Sequence, residues 1–544
     1  MMLSGNRTAT PRPAPHVLFL IIVWALIWHS SCKTPSTPGI AHDTWYISEE
    51  MGIAVKFESA LRGQYITLNK AIATPQPFRV RQSRNVTRFR LSGHANLQGR
   101  LQVYHDQFYL VGANQRISFR QYYTRSFPRA PFRYHDALFS RVTKEEVVYG
   151  HAPGFYSSRS IEKRENKSYN QVLFEVAEGI TSNLLRRSIP LQMDIYQPEG
   201  DLQNNRPLMV LLHAGAFIAG DKGDELVSKL AQDYARRGFV VASVNYRLGY
   251  IFLPGRYSNL ERAMYSAMQD VRAALRYLSH HHNRYRIDPH FVVLAGHSAG
   301  GILTLKTTFM DESEIWPSAR GSVLRLQPDL GCLDCAVNDL HGPFTIRGAV
   351  NMWGALDDLS VIKPHNRVPL LSIHGDQDYV VPYGSDFPFA NVSARASAFF
   401  SRRLHGSASI LQHTQQLGLE HTLYTFEGWG HEPHFDHDHE LIPENYKIID
   451  DLILSFVNHL LIPPFGPITG PQAIGRQDPP AEFWIAQENF KEYFFQCDHC
   501  IILRQTPNST RVVWLDTGQQ PQLRIAGVGE HGQVKLDTLT VNIR

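Results

Sequence analysis

Short, uninterrupted runs of apolar residues recur through the middle of the chain, and segments with helical spacing separate them. Runs of this kind predict strands that are buried on both faces of a sheet. Because strands that alternate with helices form a parallel, doubly wound sheet, we expect that architecture over residues 142–462. The runs assigned to this sheet are residues 190–196, 207–213, 239–247, 291–296, 347–353, 368–374 and 421–426.

The segments on either side of this region follow a different period. Polar and apolar residues alternate within residues 41–141, for example over 88–91 and 100–104, which predicts a small, mostly antiparallel β-domain. Beyond the predicted sheet, the Pro-rich residues 463–470 predict a linker. Residues 471–544, which Gly and Pro punctuate, are predicted to form a small β-sandwich-like domain.

The N-terminal stretch has the pattern of an export signal. Two arginines precede the apolar run 17–28, which is short for a membrane span and suits the core of a signal peptide. Cys32 and a Pro-, Ser- and Thr-rich tether over residues 33–40 follow. The stretch resembles a bacterial lipobox, which implies acylation of Cys32; an ordinary signal peptide over residues 1–32 is the alternative. Both predict an exported protein, which is either anchored to a membrane through Cys32 or extracellular.

Composition and charge narrow the class of protein. A chain of 544 residues with 43% hydrophobic and 19% charged residues is typical of a folded protein with several domains. The excess of 54 basic over 50 acidic residues gives a net charge of +4, which is too small to indicate a nucleic-acid partner.

Basic residues are nevertheless concentrated in the N-terminal β-domain. One interpretation is adhesion to an anionic polymer or surface. The simpler one is the solvated face of a sheet. Between residues 56 and 120, the acidic Glu58 and Asp106 stand against Lys56, Arg62, Lys70, Arg79, Arg81, Arg84, Arg88, Arg90, Arg100, Arg116 and Arg120.

Four cysteines form two Cys-x-x-Cys pairs, Cys332/Cys335 and Cys497/Cys500. Two such pairs together can hold zinc, but these lie in different predicted domains. In an exported protein, disulfides within each pair or across the two pairs are favoured, and free thiols and a metal site are the alternatives.

The strongest chemical signal is the sequence Gly-His-Ser-Ala-Gly-Gly over residues 296–301. It follows an apolar run and precedes residues with helical spacing, which is the strand, tight turn and helix of a nucleophile elbow centred on Ser298. The glycines at 296 and 300 leave room for the backbone to cross closely at such a turn.

Three further motifs accompany the elbow at 296–301. They are His-Ala-Gly-Ala-Phe at 213–217, Asn-Tyr-Arg at 245–247, and His-Gly-Asp-Gln-Asp at 374–378 with Gly-His at 430–431 downstream. In this order the four motifs resemble those of α/β-hydrolases of the carboxylesterase and hormone-sensitive-lipase-like type. The resemblance covers about residues 145–461 and implies an α/β-hydrolase fold, here flanked by two β-rich domains, and a serine esterase that works without a metal or another cofactor.

The chain order serine, acid, histidine in this family implies Ser298 as the nucleophile, Asp378 as the acid and His431 as the base. Asp376 competes with Asp378, but its place directly after Gly375 favours a turn-capping role. His434, His437 and His439 follow His431 closely and offer a metal site as an alternative, which the lack of matching cysteines disfavours.

The resemblance also implies where a developing oxyanion would be held. The backbone amide of Ala299 and those of Gly215 and Ala216 are expected to donate to it. Ala214 and Ala216 replace glycines of the HGGG-type loop, and an alanine with positive φ would be strained. We expect residues 245–247 to brace this loop, and His297 to pack or hydrogen-bond within the elbow.

Two polar insertions, residues 311–345 and 382–417, are expected to form a cap over the site. Neither contains a long amphipathic helix, which favours a small or polysaccharide-linked ester as substrate. Two rival hypotheses remain: a peptidase of the prolyl-oligopeptidase type, and a non-catalytic adhesion protein on a hydrolase scaffold.

Overall fold

We describe a computed structural model of the chain. The structure describes residues 44–544 except for residues 60–61, 84–85, 91–97, 105–106, 112–115, 123–125, 155–187, 251–256, 322–326, 391–401 and 487–488. The predicted signal peptide 1–32 with Cys32, and the tether 33–40, lie outside these residues. Within the described part, none of the helices combines the length and the apolarity needed to cross a membrane.

The N-terminal β-domain is a closed antiparallel barrel with the strand order β1-β2-β3-β5-β6-β7-β8-β9. Its interior is packed with aromatic rings, among them Phe57, Phe108 and Phe119, which are fully buried. The alternation of polar and apolar residues predicts these strands. The barrel closes because its last strand, β9, pairs with its first, β1. The strands are β1 Trp45–Ser48, β2 Ile53–Ser59, β3 Arg62–Thr67, β4 Ile72–Ala73, β5 Gln76–Ser83, β6 Val86–Arg90, β7 Gln98–Tyr104, β8 Gln107–Val111 and β9 Arg116–Gln121.

The middle of the chain forms an eight-stranded sheet with the order β10-β11-β13-β12-β14-β15-β16-β19. Its first two strand pairings are antiparallel and the rest are parallel. A short hairpin, β17–β18, lies in the second insertion. The strands are β10 Val142–Pro153, β11 Ser188–Pro198, β12 Arg206–Leu212, β13 Val240–Val244, β14 Ile287–His297, β15 Ile346–Met352, β16 Leu370–Gly375, β17 Ser385–Asp386, β18 Leu404–His405 and β19 His421–Phe426.

Helices cover both faces of this sheet, so each face has its own apolar core. Helices α1 and α6 pack on one face, and α2, α4 and α5 pack on the other. The helices are α1 Glu225–Arg236, α2 Tyr257–His280, α3 His282–Tyr285, α4 Ala299–Phe309, α5 Ser407–Gln416 and α6 Pro443–Leu461, with 3-10 turns at Glu312–Glu314, Pro317–Arg320 and Leu359–Val361. The predicted α/β-hydrolase fold with flanking β-rich regions is confirmed.

The C-terminal region packs two antiparallel sheets, β20-β22-β25-β24 and β23-β26-β27, on a shared core. The first of these strands, β20, begins inside the stretch predicted as a linker. The strands are β20 Ile468–Thr469, β21 Ala473–Ile474, β22 Ala481–Ile485, β23 Glu492–Cys497, β24 Cys500–Gln505, β25 Ser509–Leu515, β26 Gln522–Val528, β27 Val534–Thr540 and β28 Asn542–Ile543.

The two β-rich regions are joined, although about 400 residues separate them in the sequence. Strand β4 leaves the barrel and pairs in parallel with β25. The amide of Trp514 donates to the carbonyl of Ala71 at 2.8 Å, and the amide of Ala71 donates to the carbonyl of Asp478 at 2.7 Å. The barrel therefore contributes a strand to a sheet at the opposite end of the chain.

The structure places a disulfide within each Cys-x-x-Cys pair, Cys332–Cys335 and Cys497–Cys500. Pairing across the two pairs, which the sequence left open, does not occur. Each bond therefore stays local to its own region, the first in the first insertion and the second in the β23–β24 hairpin.

Candidate active site

Ser298 lies on the turn between β14 and α4 in a strained backbone conformation. Its φ is +54° and its ψ is −119°, a region that residues other than glycine seldom occupy. A Cβ at Gly296 would lie 2.3 Å from the carbonyl oxygen of Gly300, and a Cβ at Gly300 would lie 2.2 Å from that of Leu212. Only glycine at both positions lets the chain pass this closely, and the turn leaves Ser298 facing a pocket.

The structure brings Ser298, His431 and Asp378 into one hydrogen-bonded row. His431 Nε2 lies 2.9 Å from Ser298 Oγ, and its Nδ1 lies 2.7 Å from Asp378 Oδ2. A carboxylate can only accept, so the ring proton sits on Nδ1 and Nε2 is free to accept from the serine hydroxyl. This is the tautomer that a general base requires.

Asp378 is held by donors on both of its oxygens. The amides of Val380 and Val381 donate to Oδ1 at 2.8 and 3.0 Å, while His431 and His374 face Oδ2. Burial alone would raise the pKa of this carboxyl, but the hydrogen bonds from the two imidazoles outweigh it and hold the pKa well below its usual range. The carboxylate therefore stays ionised throughout the neutral range.

His374 is a contact of the acid that the sequence analysis missed. Its Nε2 lies 3.1 Å from both Asp378 Oδ2 and the carbonyl of Val381, which are acceptors, so Nε2 carries the proton. Its Nδ1 accepts from Ser407 Oγ at 2.8 Å. A histidine ending a buried strand four residues before the acid was the available signal, and we interpreted it only as part of the sheet.

The two candidate acids, Asp376 and Asp378, have different hydrogen-bond partners in the structure. Asp376 accepts from the amide of Gly428 at 2.6 Å, so it ties the turn after β16 to the loop that carries His431. Asp378 faces the imidazole itself. Asp376 was expected to cap the turn that follows Gly375, and the contact shown is instead with the distant loop at Gly428.

The loop after β12 has three consecutive residues with positive φ. Gly215 has a φ of +121°, Ala216 of +52° and Phe217 of +61°. In the described part of the chain, the amides of Gly215, Ala216 and Ala299 donate to no backbone carbonyl outside a helix or strand. The alanine at 216 thus occupies the strained region that the sequence analysis anticipated.

Of residues 245–247, which were expected to brace this loop, Tyr246 contacts it directly and the other two contact other segments. Tyr246 donates its hydroxyl to the carbonyl of His213 at 2.8 Å, and its ring stacks on the His213 imidazole. Asn245 accepts from the amide of Lys222 at 2.5 Å. Arg247 instead forms a buried ion pair with an aspartate of α2.

His297, the residue before Ser298, pairs with a carboxylate outside the elbow. Its Nε2 lies 3.1 Å from Oδ2 of Asp224, the N-cap residue of α1, and 3.2 Å from the amide nitrogen of Ala214. Burial would lower the pKa of His297, but the adjacent Asp224 carboxylate outweighs it and raises the pKa. The expectation of hydrogen bonding within the elbow was therefore incomplete, because the partner comes from a helix 73 residues earlier.

The other histidines near His431 point to different environments. His434 is fully buried, stacks on Trp353, and its ring nitrogens have no hydrogen-bond partner among the described residues. His437 and His439 are exposed. Within the described part of the chain, no group of three or more His, Cys, Asp or Glu residues is placed to hold a metal ion.

A narrow, mainly apolar pocket opens beside Ser298. Its wall includes Ala216 and Phe217 of the strained loop and Phe389 and Leu404 of the second insertion. At its edge, Arg402 of the same insertion pairs with a glutamate of α2 at 2.7 Å. The second insertion thus contributes to the wall of the site, as a cap would.

Comparisons with known proteins concern mainly the middle of the chain. Residues 193–359 match the family model BD-FAE. The chain is 31% identical over 126 residues to the carboxylesterase patB of Penicillium expansum, covering 20% of this chain and 22% of that protein. It is 25% identical over 207 residues to the probable carboxylic ester hydrolase LipM of Mycobacterium tuberculosis, covering 35% and 46%. The chain thus spans less than half the length of each of these two relatives.

Among solved structures, esterase 2 of Thermogutta terrifontis with bound propionate is 18% identical to the chain. The match covers 51% of this chain and 92% of that one, with a TM-score of 0.33. The strand order of the sheet, rather than this likeness, defines the fold.

Proposed function

We propose that the α/β-hydrolase domain over residues 142–462, which is of the carboxylesterase type, hydrolyses carboxylic esters through an acyl-enzyme on Ser298. The observation that carries the proposal is the row of hydrogen bonds from Ser298 through His431 to Asp378, with both ring nitrogens of His431 engaged at 2.9 and 2.7 Å. The relatives named as carboxylesterases and the BD-FAE match over the same region support it.

In the first half of the reaction, Ser298 Oγ attacks the ester carbonyl while His431 Nε2 takes its proton. Asp378 keeps the ring in the required tautomer and stabilises the imidazolium that forms. The oxyanion of the tetrahedral intermediate accepts from the amides of Gly215, Ala216 and Ala299, which are fixed before the reaction begins. His431 then returns the proton to the leaving alcohol.

In the second half, water repeats the attack on the acyl-enzyme with His431 again as the base, and Ser298 is released. The positive φ values at residues 215–217 support this role, because anion-binding loops of successive amides use turn conformations that include positive φ. The strain at Ala216 and Phe217 is consistent with a loop that is fixed for function.

The lining of the pocket supports a proposal for the acyl group of the substrate. Apolar residues such as Phe217, Ile302 and Leu404 surround the space next to Ser298, which suits a small acyl group. We place the alcohol side on a small molecule or a polysaccharide outside the cell, in keeping with the export signal expected at residues 1–32. Anchoring through Cys32 is part of the same proposal.

The test compares the purified protein on p-nitrophenyl acetate and on an aminoacyl nitroanilide. We expect turnover of the ester alone, together with covalent labelling by a fluorophosphonate that disappears in Ser298→Ala. Absence of labelling in a well-folded wild-type protein would overturn the proposal, and turnover of the anilide in preference to the ester would make the protein a peptidase.

A further inference from the structure

Arginines on neighbouring strands of the barrel pair directly across the sheet. In one row, Arg62 of β3 lies opposite Arg79 of β5, which lies opposite Arg90 of β6. In a second row, Arg81 of β5 lies opposite Arg88 of β6, which lies opposite Arg100 of β7. We call the six residues Arg62, Arg79, Arg81, Arg88, Arg90 and Arg100 the arginine ladder.

The ladder lies on the outer face of the barrel. Phe78 and Val80, which flank Arg79 in β5, are buried in the barrel core, whereas Arg79 is exposed. The side chain of Arg62, its register partner, is 74% exposed. Directly paired residues share a face, as do residues two apart in a strand, so the register places the other four positions on the same face.

Few acidic residues are available to balance this charge. Residues 59–105 contain eight Lys and Arg and no Asp or Glu. Across the eight strands of the barrel, Glu58 is the single acid, and it lies 3.9 Å from Arg62 at the edge of the ladder.

Folding does not explain this arrangement, because like charges directly opposite each other destabilise a sheet. A solvated face needs polar residues but does not need arginines in register. Strands lie about 4.8 Å apart and same-face residues of one strand about 6.6–6.8 Å apart, so the six arginines occupy regularly spaced register positions.

We propose that the arginine ladder binds a linear polysaccharide that carries repeated carboxylates, such as a polyuronate. A guanidinium pairs with a carboxylate through two parallel hydrogen bonds, and a regular array of guanidinium groups suits a polymer whose charges repeat. The choice of a polysaccharide rests on the proposed function, since the ladder would then hold the polymer that bears the ester.

The outer positions of β5, β6 and β7 favour a dissolved polymer over a lipid surface. Besides the arginines they hold Pro77, Ser83, Val86, Gln98, Gln102 and Tyr104. None is Leu, Ile, Phe or Trp, the side chains that anchor a protein in the headgroup region of a membrane.

The test measures binding of the intact protein to fluorescent polygalacturonate by anisotropy, with dextran as the neutral polymer. We expect salt-sensitive binding to polygalacturonate alone. Arg81→Gln/Arg88→Gln is expected to weaken binding to polygalacturonate at least about tenfold. Arg81→Lys/Arg88→Lys should weaken it by less, because lysine keeps the positive charge and loses only the paired hydrogen bonds of the guanidinium. The matched control Arg141→Gln/Arg236→Gln removes the same charge from positions outside the barrel strands, where the side chains are 80% and 43% exposed, and should bind like wild type.

A second double variant, Arg62→Gln/Arg90→Gln, repeats the test in the other row, with circular dichroism reporting the fold of each protein. Equal binding by wild type and both ladder variants, or no binding by wild type, overturns the proposal. Tighter binding to phosphatidylserine vesicles or to DNA than to polygalacturonate overturns the choice of a polysaccharide. Binding measured in Ser298→Ala separates this proposal from the proposed function, and the ladder variants should keep full activity on p-nitrophenyl acetate.

Discussion

Two imidazole–carboxylate pairs adjoin Ser298, one in space and one through the preceding residue, and their surroundings differ. His431 faces Asp378 at 2.7 Å, and its side chain is 14% exposed. His297 faces Asp224 at 3.1 Å and is fully enclosed. His431 has a second nitrogen directed at Ser298 Oγ, whereas His297 Nε2 meets both its carboxylate and the amide of Ala214. The same chemical pair therefore faces a serine hydroxyl in one place and is enclosed beside the N-cap residue of α1 in the other.

The proton on His297 decides which contact is made. With a proton, Nε2 donates to Asp224 and cannot accept a hydrogen bond from the Ala214 amide. Without a proton, it can accept from that amide and cannot donate. The carboxylate raises the pKa of His297, which favours a proton on Nε2 directed at Asp224. The pair thus joins the N-cap residue of α1 to the residue before Ser298.

The largest expected effect is on activity and belongs to the pair that faces Ser298. We expect His431→Ala to lower kcat/KM on p-nitrophenyl acetate by about 10⁴-fold or more, because the base is lost. His297→Ala should cost less than about 10²-fold, because that ring touches no reacting atom. Steady-state kinetics with circular dichroism as the folding control measure both, and comparable losses would show that the two pairs are not distinct in role.

The next effect is on stability and belongs to the buried pair. Asp224→Ala removes the partner of an enclosed imidazole and the side-chain cap of α1, and we expect the free energy of unfolding to fall by about 3 kcal/mol. Urea denaturation measures it. Asp451→Ala, which breaks an ion pair whose aspartate is 58% exposed, is the control and should cost less than about 0.5 kcal/mol. Equal losses would contradict a structural role for Asp224.

A smaller effect is expected when Asp378 loses its second imidazole donor, His374. His374→Phe deprives Asp378 of one hydrogen bond, and we expect kcat to fall about tenfold with KM nearly unchanged. His374→Gln keeps an N–H donor and should restore much of the loss. If glutamine and phenylalanine gave the same rate, His374 would act by packing alone.

The smallest effect distinguishes the pairs by pH. The pKa of His297 is raised, so its contribution to stability is complete below about pH 6.5 and is lost as pH rises through the folded value. The pKa of Asp378 is lowered, so its contribution is complete above about pH 3.9 and is lost as pH falls through the folded value. We expect His297→Gln to flatten the loss of stability as pH rises above about 6.5, and His374→Phe to raise the midpoint of acid unfolding. Denaturation at several pH values measures both slopes, and an unchanged alkaline slope in His297→Gln would show that the pair does not titrate.

Much of the hydrolase domain followed from local pattern. The apolar runs predicted its buried strands because a strand covered on both faces has apolar residues at every position. The small residues around Ser298 predicted the elbow, since only glycine fits where the backbones of residues 296 and 300 approach. The motif order further indicated which acid and which histidine would lie beside the serine.

Local sequence pattern did not predict contacts between segments that are far apart in the chain. Asp224 meets His297, and β4 meets β25, through packing that no local period records. Closure of the barrel and the register of its arginines also depend on which strands become neighbours.

By itself, the sequence determined the sheet, the elbow, the order of the three residues around it and the basic character of the barrel, because each is written in residue type and spacing. Only the tertiary structure decided that His374 contacts Asp378, that His297 is enclosed with Asp224, and that six scattered arginines take register positions on one face of the barrel. The physical reason is that burial and proximity arise when distant segments pack, and these set both the proton positions and the local density of charge.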